Sequence, residues 1–588
     1  MSGNTPRATE KIPDHLMPFI VRQDPSLYTA IDHASWRFIL KISKRFFSTH
    51  AHQKYLDGLV ETGISTERIP LISEMDSCLR KFGWRAVAVS GFIPPSAFME
   101  FQSLGVLPIA CDMRKLENLA YTPAPDIVHE AAGHAPIIAD PEYSHYLRSY
   151  GEVSRKAILS HHDLAVYRGI RKLSEVKENP DSSPQAIQAA QNELNSAIQA
   201  IDFDSEASLL ARMNWWTVEY GLVGDLDHPK IYGAGLLSSV GESYNCLSPH
   251  VKKIPLSLDC LATSYDITRP QPQLFVTPNF QRLTQILHEF AETMAYRVGG
   301  GAALKKALQA KAVTTTQLDS GIQVGGVLCE WLKDSEGRPC YLRYSGPTQL
   351  AYKDVEIEKQ GARYHREGFG TPLGRILWRD QGGGAILRDP QHLSEAEAGA
   401  LKGLEFESGV KVTGRVRAQT RLEGRLLILT WENCTVEWNG RKLFEPAWGV
   451  FDMACGTQIP SVFGGAPDRG RYLLDTQNTE DTQNRLGFQK TNLTDDNLAL
   501  NELYAEVRKL RESGTLRDSA LKILSSIFER LESHHPDDWL LRWEILEIDH
   551  LWQLNSPWKS KVLSRLAAFA SKDKESEQLI RRGLELLK

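Results

Sequence analysis

The sequence predicts a multidomain protein: a mostly α-helical domain, then a β-rich module, then an α-helical C-terminal region. Three observations predict this fold class. Apolar residues recur about every 3.6 positions over much of the first half, alternate at every second position from about 313 to 480, and return to the helical period near 490. The length of 588 residues fits several domains, because one domain commonly has about 150.

Composition and charge exclude several classes of protein. Hydrophobic residues make up 42% of the chain and charged residues 24%, so extended disorder is not expected. The net charge of −5 lacks the basic excess of a nucleic-acid binder. No apolar run has the roughly 20 residues of a membrane helix, the N-terminus lacks the apolar core of a signal peptide, and no cysteines form a C-x-x-C pair. We therefore expect a cytoplasmic protein without nucleic-acid or membrane partners.

The first half of the chain divides into a lead-in and a helical domain. Residues 1–20 are predicted to form a flexible lead-in, and residues 21–312 the helical domain. TAIDHASWRFILKISKRFF and LISEMDSCLRKFGW have the pattern of amphipathic helices, the second ending at a glycine. Glycines and prolines over residues 85–125 predict loops and short strands. A polar stretch rich in Gln, Asn and Ala predicts an inserted helical hairpin at about 165–208.

The second half has two further regions. Residues 313–480 are predicted to be a β-rich module, in which one alternating face carries Val410, Val412, Val416, Leu427, Leu429 and Trp431. Residues 490–588 are predicted to be helical, with apolar stripes at Leu500, Leu503, Tyr504, Val507 and Leu510 and at Ala520, Leu521, Leu524, Ile527, Phe528 and Leu531. Such stripes could pack on another subunit, so a homo-oligomer formed through this region is one reading.

The stretch TPAPDIVHEAAGH carries two histidines, His129 and His134, at a spacing of five. On an α-helix, residues four apart lie about 40° from each other and can share a zinc ion, whereas residues five apart are separated by about 140°. Gly133 offers a way to end the helix and bring His134 back. Glu219 lies in an aromatic and β-branched run, where burying a carboxylate is costly unless it is paired or binds a metal. Structural histidines and a salt-bridged glutamate are the alternative reading.

Two histidines and one carboxylate are the ligand set of non-haem Fe(II) oxygenases. Three blocks, TPAPDIVHEAAGHAPIIADPEY, WWTVEYGL and KIYGAGLLSSVGES, together resemble the pterin-dependent aromatic amino acid hydroxylases over about residues 20–300. The resemblance implies that residues 21–312 have the catalytic fold of that family. It also implies that His129, His134 and Glu219 hold Fe(II) and form the catalytic centre.

Further site residues follow from the same resemblance. Those implied to bind substrate are Arg114 and Thr122 at its α-carboxylate, Trp215 and Pro125 as pocket walls, and Ser238 as a further contact. Those implied to bind the pterin are Gly91 and Ile93 in its loop, Phe98 as a stacking ring, and Glu130 as a nearby acid. Asp126 is either a partner of the His129 ring or a helix N-cap.

The resemblance implies that one oxygen atom of O2 enters the ring of an aromatic amino acid and the other enters tetrahydrobiopterin or a related tetrahydropterin. Phenylalanine to tyrosine is the expected reaction, with tryptophan or tyrosine as alternative substrates. A zinc-dependent hydrolase is a remote alternative because the histidine spacing is wrong for it. A non-catalytic scaffold, in which the second half is the working part, is a further alternative.

The sequence also departs from the family pattern. Pro94 and Pro95 replace small polar residues in the expected pterin loop, and Ala131 and Ala132 replace a leucine pair. From His134 to Glu219 there are 219 − 134 = 85 positions, about twice the family's usual interval, which the predicted hairpin accounts for.

Overall fold

The structure is a computed structural model that describes residues 11–91, 93–120, 126–178, 182–266, 269–379, 385–476, 495–513, 517–572 and 574–588. The α-helices of the first half are α1 (Ala30–His50), α2 (Lys54–Glu61), α3 (Ile72–Leu79), α4 (Pro95–Ser103), α5 (Pro141–Ser154), α6 (His161–Glu178), α7 (Pro184–Gln199), α8 (Glu206–Asn214), α9 (Ala234–Ser238), α10 (Val240–Asn245), α11 (Phe280–Ala291), α12 (Ala295–Val298) and α13 (Gly300–Ala310). Two π-helices are π1 (Val128–His134) and π2 (Trp215–Glu219).

The strands of the first half are short: β1 (Arg85–Val89), β2 (Val106–Ala110), β3 (Leu222–Val223), β4 (Lys230–Ile231), β5 (Lys252–Pro255) and β6 (Gln273–Thr277). The later strands are β7 (Val313–Gln317), β8 (Ile322–Lys333), β9 (Pro339–Tyr352), β10 (Val355–Glu356), β11 (Gly368–Pro372), β12 (Ile376–Arg379), β13 (Ala385–Arg388), β14 (Gly403–Glu405), β15 (Lys411–Leu422), β16 (Arg425–Trp438), β17 (Arg441–Phe444), β18 (Phe451–Ala454) and β19 (Ser461–Gly464).

The later helices are α14 (Glu395–Gly399), α15 (Arg469–Thr476), α16 (Asp495–Glu512), α17 (Arg517–His534), α18 (Leu540–Trp552), α19 (Lys559–Ala570) and α20 (Lys574–Glu585). Short 3-10 turns cover Met17–Phe19, Pro25–Leu27, Arg80–Phe82, Leu116–Asn118, Pro136–Ala139, Leu258–Ala262, Pro390–His392 and Pro446–Trp448. None of the helices described is both long enough and apolar enough to span a lipid bilayer.

Local sequence signals explain the first helices. Helix α1 begins at a capping box, in which the side chains of Thr29 and Asp32 each accept a hydrogen bond from the other's backbone N–H. Its apolar stripe, including Phe38, is buried in the main core. The turn after α3 ends at Gly83, whose φ of 74° lies in the left-handed region that favours glycine. Both helices predicted from periodicity are therefore confirmed.

Two small sheets support the region around the histidines. Strands β1 and β2 pair in parallel, with α4 between them in sequence. After β2, the carbonyl of Asp112 accepts a hydrogen bond from the backbone N–H of Ile127 at 2.8 Å, which fixes the start of π1. A second sheet has the order β4-β3-β6-β5, and its strand β3 starts three residues after Glu219. Both histidine-bearing and glutamate-bearing segments are thus tied to sheet strands.

The β-rich module contains two main sheets. One has the order β10-β9-β8-β7-β19, with β11 also paired to β9. The other has the order β14-β15-β16-β17, with β18 also paired to β16. The sequence predicted one buried face, and Leu427, Leu429 and Trp431 of that face are buried as expected. The opposite face of the strand is buried as well, since Leu426 and Ile428 are also fully buried. Strand β16 lies between two apolar clusters and is covered on both faces.

The C-terminal helices share one core with the first half of the same chain. Most residues of the two predicted apolar stripes are buried in this core, together with residues of α1. The side-chain oxygen of Asn501 accepts hydrogen bonds from the backbone of Ala30 and Ile31, at the N-terminus of α1. A buried group of charges, here called the Arg37 network, crosses the same boundary and consists of Arg37, Lys41, Arg511, Glu544 and Glu547.

Candidate metal centre and active site

The histidine pair lies in a π-helix rather than at the end of an α-helix. Because a π-helix has a wider turn with i to i+5 hydrogen bonds, it brings residues five apart onto one side. The Nε2 atoms of His129 and His134 are 3.1 Å apart. The expectation that Gly133 ends the helix is wrong, since π1 continues through it. A Cβ on Gly133 would lie 2.7 Å from the Ala234 carbonyl oxygen, so this glycine lets α9 pack closely on π1.

Glu219 is the last residue of the second π-helix, and its carboxylate completes a three-residue cluster. Its Oε1 lies 3.3 Å from His134 Nε2, and its Oε2 lies 3.3 Å from His129 Nε2. Burial raises the pKa of Glu219, but the neighbouring His134 and His129 outweigh burial and hold it well below its usual range. The structure therefore brings together all three residues that the sequence predicted as metal ligands, with the carboxylate ionised.

Ser238 determines which nitrogen of His129 faces this cluster. The Ser238 hydroxyl donates its proton to the Ala234 carbonyl at 2.8 Å, so towards His129 Nδ1, 2.9 Å away, it acts as an acceptor. His129 Nδ1 therefore carries a ring proton, and Nε2 is the nitrogen that faces the cluster. The resemblance implied a substrate-side role for Ser238, and the structure adds this contact. No local signal predicts it, because the two residues are 109 positions apart.

The cluster fits a divalent metal ion. A metal at about 2.1 Å from imidazole nitrogen and carboxylate oxygen, with ligands at right angles, separates the ligand atoms by about 3.0 Å. The observed separations are 3.1, 3.3 and 3.3 Å. Two histidines and one carboxylate suit non-haem Fe(II) and leave open coordination positions.

Glu130 also approaches the cluster, and its ligand atoms lie within 4.8 Å of those of His129 and His134. Its Oε2 is 4.0 Å from His134 Nε2, farther than Glu219, and has no hydrogen-bond partner among the described residues. Burial raises the pKa of Glu130 to about 8, so its carboxyl is mostly protonated at neutral pH. An ionised carboxylate is the better metal ligand, so Glu219 fits the third ligand position and Glu130 stands beside it.

Arg114 and Asp126 form a buried pair next to the centre. The Asp126 carboxylate accepts hydrogen bonds from Arg114 Nε at 2.7 Å and Nη2 at 2.8 Å, while Arg114 Nη1 donates to the Ser238 carbonyl at 3.0 Å. Asp126 also accepts the backbone N–H of His129 at 3.0 Å. Of the two roles considered for Asp126, the structure therefore shows the helix cap. The ring N–H of His129 donates to Ser238 instead. The substrate role of Arg114 stays a prediction.

Trp215 lies in an aromatic stack at the start of π2. Its ring stacks between Tyr220, at 4.4 Å between ring centres, and Tyr265, at 4.5 Å. Its Nε1 is buried without a hydrogen-bond partner among the described residues. The role of Trp215 as a pocket wall stays a prediction, and the sequence reasoning missed Tyr265. The predicted substrate residues Thr122 and Pro125 lie outside the described residues.

The residues predicted to bind the pterin lie around the ends of β1 and β2. Gly91 has a φ of 60°, and its N–H donates to the Asp112 carboxylate at 3.2 Å. Pro94 is the N-cap of α4 and Pro95 its first residue, where a missing N–H costs nothing. Phe98 is half-buried on this helix, and Ile93 packs against a small apolar cluster. Their contacts with a pterin stay a prediction.

Comparison with known proteins supports one family. A family model described as biopterin-dependent aromatic amino acid hydroxylase matches residues 23–161 and 190–299. The unmatched residues between these ranges fall in the α6–α7 hairpin. Phenylalanine-4-hydroxylase of Pseudomonas aeruginosa is 30% identical over 264 residues, which cover 45% of this chain and 84% of that protein. The Ralstonia nicotianae protein of the same name is 29% identical over 268 residues, covering 45% and 72%.

A solved phenylalanine hydroxylase of Chromobacterium violaceum, with bound iron(III) and 7,8-dihydrobiopterin, is 26% identical. It covers 48% of this chain and 92% of its own, with a TM-score of 0.38. The family match spans both segments that supply the clustered side chains, π1 and π2. The chain belongs to the family of biopterin-dependent aromatic amino acid hydroxylases.

Proposed function

We propose that this protein is a monooxygenase that hydroxylates the ring of phenylalanine to give tyrosine, using O2, non-haem Fe(II) and tetrahydrobiopterin or a related tetrahydropterin. The observation that carries the proposal is the convergence of His129, His134 and Glu219 within 3.1–3.3 Å, in a chain of the biopterin-dependent family. The substrate rests on the names of the relatives, several of which are phenylalanine-4-hydroxylases.

His129, His134 and Glu219 would hold the iron. When bound, the iron and the tetrahydropterin together activate O2, with one oxygen atom going to the aromatic ring and the other to the pterin. Ser238 keeps Nε2 of His129 turned towards the metal site, because its hydroxyl oxygen accepts a hydrogen bond from the N–H at Nδ1. Glu219 supplies a negative charge, which favours a cation at this position.

The surrounding residues would bind and orient the two organic molecules. Arg114 is held by Asp126 and Ser238, so its remaining N–H groups are fixed in direction for the substrate carboxylate. Trp215, within its stack, forms a rigid apolar wall that excludes water from the ring. Glu130 keeps a proton on its carboxyl and can donate a hydrogen bond to the pterin. Phe98 would stack on the pterin ring above the Gly91 loop.

The structure removes one argument against a zinc hydrolase, since π1 makes the five-residue spacing compatible with a shared metal. Family membership disfavours that alternative, and metal analysis separates the two. Neither tryptophan nor tyrosine as substrate is favoured by a specific contact.

The test is anaerobic loading with Fe(II), followed by O2, tetrahydrobiopterin and each of phenylalanine, tyrosine and tryptophan, with products identified by mass and retention time. We expect tyrosine from phenylalanine, and loss of product in Glu219→Gln and His129→Ala. Glu289→Gln and His288→Ala, at exposed positions of α11, are the matched controls. Absence of any hydroxylated product from iron-loaded protein would overturn the proposal, and product from another amino acid would correct the substrate.

We further propose a cytoplasmic location and retain the homo-oligomer through the C-terminal region as a proposal. Because the apolar stripes of that region are mostly buried within the chain, a dimer would have to use other surfaces of these helices. Cell fractionation tests the location, and light scattering tests the oligomer.

A further inference from the structure

The junction between α9 and α10 touches the metal centre and the proposed substrate site. This α9–α10 corner is Ser238, Ser239 and Val240. Ser238 accepts hydrogen bonds from the His129 ring on its hydroxyl and from Arg114 on its carbonyl. Ser239 has an extended backbone between the two helices, and its hydroxyl donates to the Ala120 carbonyl. A shift of this corner would therefore move a partner of a metal ligand and a partner of Arg114 together.

Arg582, in α20, contacts the same corner from the other end of the sequence. Its Nη1 donates a hydrogen bond to the carbonyl of Val240 at 2.5 Å. Its guanidinium carbon lies 3.4 Å from the centre of the Tyr244 ring, on α10. The Tyr244 ring also stacks on Phe46 of α1, at 3.8 Å between ring centres and 23° between planes. Tyr244 is thus held between a guanidinium and an aromatic ring.

The burial of Arg582 is not explained by an ion pair. The residue is only 5% exposed, and no carboxylate of the described residues lies within 4 Å of its guanidinium. Its Nε has no hydrogen-bond partner among those residues either. Burying a charge without a direct ion pair is costly, and Glu585 acts on Arg582 only from a longer distance, so other packing must hold α20 in place. At Gly583 a Cβ would lie 2.8 Å from atoms of Phe38 and Trp543, so only glycine permits this close approach of α20.

We propose that Arg582 is a positioning residue for the metal centre. By fixing Val240 and Tyr244, it holds the α9–α10 corner in the position where Ser238 orients both the His129 imidazole and the Arg114 guanidinium. The C-terminal helices are then part of the active-site support and not an independent appendage. This inference rests on the proposed metal site. The test below distinguishes failure of the role of Arg582 from failure of the metal site itself.

The test uses Co(II) as a spectroscopic substitute, added to the full-length metal-free protein. In Arg582→Met we expect the Co(II) affinity to fall about 10-fold, the lower end of the range for partners that orient a metal ligand. The visible absorption bands of the bound Co(II) should shift, because the His129 ring is no longer fixed. With Fe(II), the KM for phenylalanine should rise more than kcat falls, since Arg114 loses its fixed partner. Arg582→Lys keeps a donor for Val240 and should recover part of the affinity.

Arg581→Met is the matched control, because Arg581 is the exposed neighbour on the same helix and the change in charge is equal. Affinities are compared among variants with the near-UV circular dichroism of the wild type. If Arg582→Met does not fold, Arg582→Lys and Tyr244→Leu decide, since each removes the contact between guanidinium and ring that helps to hold the corner, Tyr244→Leu together with the stack on Phe46. Both should bind Co(II) less tightly than the wild type. Folded variants with wild-type affinity, Co(II) spectrum and KM would overturn the inference. A wild-type protein that does not bind Co(II) would instead overturn the metal site of the proposed function.

Discussion

The Arg37 network and the cluster of His129, His134 and Glu219 are both buried groups of charged side chains, and they differ in whether their charges are balanced. In the Arg37 network, Nε and Nη2 of Arg37 both donate to Glu544 at 2.8 Å, and Glu547 accepts from Lys41 and Arg511 at 2.8 and 2.6 Å. Lys41 also pairs with Glu67 at 3.2 Å. Three cations are therefore matched by three carboxylates, of which Glu544 and Glu547 come from the C-terminal helices and the exposed Glu67 from the first half of the chain.

The metal cluster uses similar residue types but has no cation of its own. The ionised Glu219 lies beside two imidazoles, and one carboxyl oxygen of Glu130 has no hydrogen-bond partner among the described residues. Burial alone therefore does not mark a functional cluster. The useful distinction is between a cluster whose charges pair with one another, which serves stability, and one whose geometry is complete only with an added ion.

Deleting residues 495–588 should have the largest effect. The deletion exposes the buried apolar face of α1 to water and removes Glu544, the ion-pair partner of Arg37, so we expect loss of the folded catalytic half and not a smaller active enzyme. Circular dichroism and size exclusion of the truncated protein test this. A soluble, cooperatively unfolding fragment that binds Co(II) like the full chain would contradict it.

Glu219→Gln should abolish metal binding while leaving the metal-free protein about as stable as the wild type. A metal present at 100 times its Kd stabilises the wild type by about 2.7 kcal/mol, and the variant should lose this gain. Thermal unfolding with and without Co(II) measures the difference. A variant that is still stabilised by Co(II) would show that Glu130, and not Glu219, supplies the third ligand.

Glu544→Gln is the matching change in the Arg37 network. It should lower the stability of the protein without changing its affinity for metal. Removing one partner of a buried pair costs about 3–5 kcal/mol of unfolding free energy, while the Co(II) affinity of the folded protein should stay unchanged. Denaturant titration measures the unfolding free energy, and Co(II) titration of the same preparation measures the metal affinity. Equal stability of variant and wild type would mean that the network contributes nothing net.

The stability difference of Glu544→Gln should also depend on pH. Although burial raises the pKa of Glu544, Arg511 and Arg37 lower it from 4.5 to about 2 in the folded protein. A lowered folded-state pKa contributes stability that is present above 4.5 and lost as the pH falls towards 2. The difference in unfolding free energy between wild type and variant should therefore become smaller as the pH falls from 4.5 towards 2. A difference that grows in acid would contradict the lowered pKa of Glu544.

Ser238→Ala should have a smaller effect, about a 10-fold loss of metal affinity, because it frees the His129 ring without removing a ligand. Ser149→Ala, a buried serine on α5, is the control. Co(II) titration measures the change, and an unaltered affinity would show that the hydroxyl does not fix the ring.

Replacing the α6–α7 hairpin from residue 164 to 199 by a short linker should change kcat/KM less than about twofold. The hairpin has an apolar cluster of its own, with Leu173, Ala190 and Leu194 buried in it, and the family match omits part of it. Steady-state kinetics measure the effect. A large loss would mean that the hairpin contacts the active site.

The sequence predicted the order of helical and β-rich regions and all three clustered side chains, because periodicity and motif spacing are local properties. It did not predict π1, because the spacing of the two histidines was interpreted on an α-helix and the i to i+5 turn appears only in the structure. It also missed Tyr265 beside Trp215 and Arg582 beside Val240. These contacts join residues 50 to 342 positions apart, and no local pattern encodes such pairs.

The shared core of α1 and the C-terminal helices has a consequence for synthesis of the chain on the ribosome. Residues 30–50 emerge early, but Glu544 and Arg582 are made more than 240 positions after the last matched residue, 299. At about 5–20 residues per second, the catalytic half waits on the order of 10 to 60 s for these partners. During that interval the apolar face of α1 is uncovered and the α9–α10 corner lacks Arg582. The α9–α10 corner can therefore be completed only after residue 582 has been synthesised.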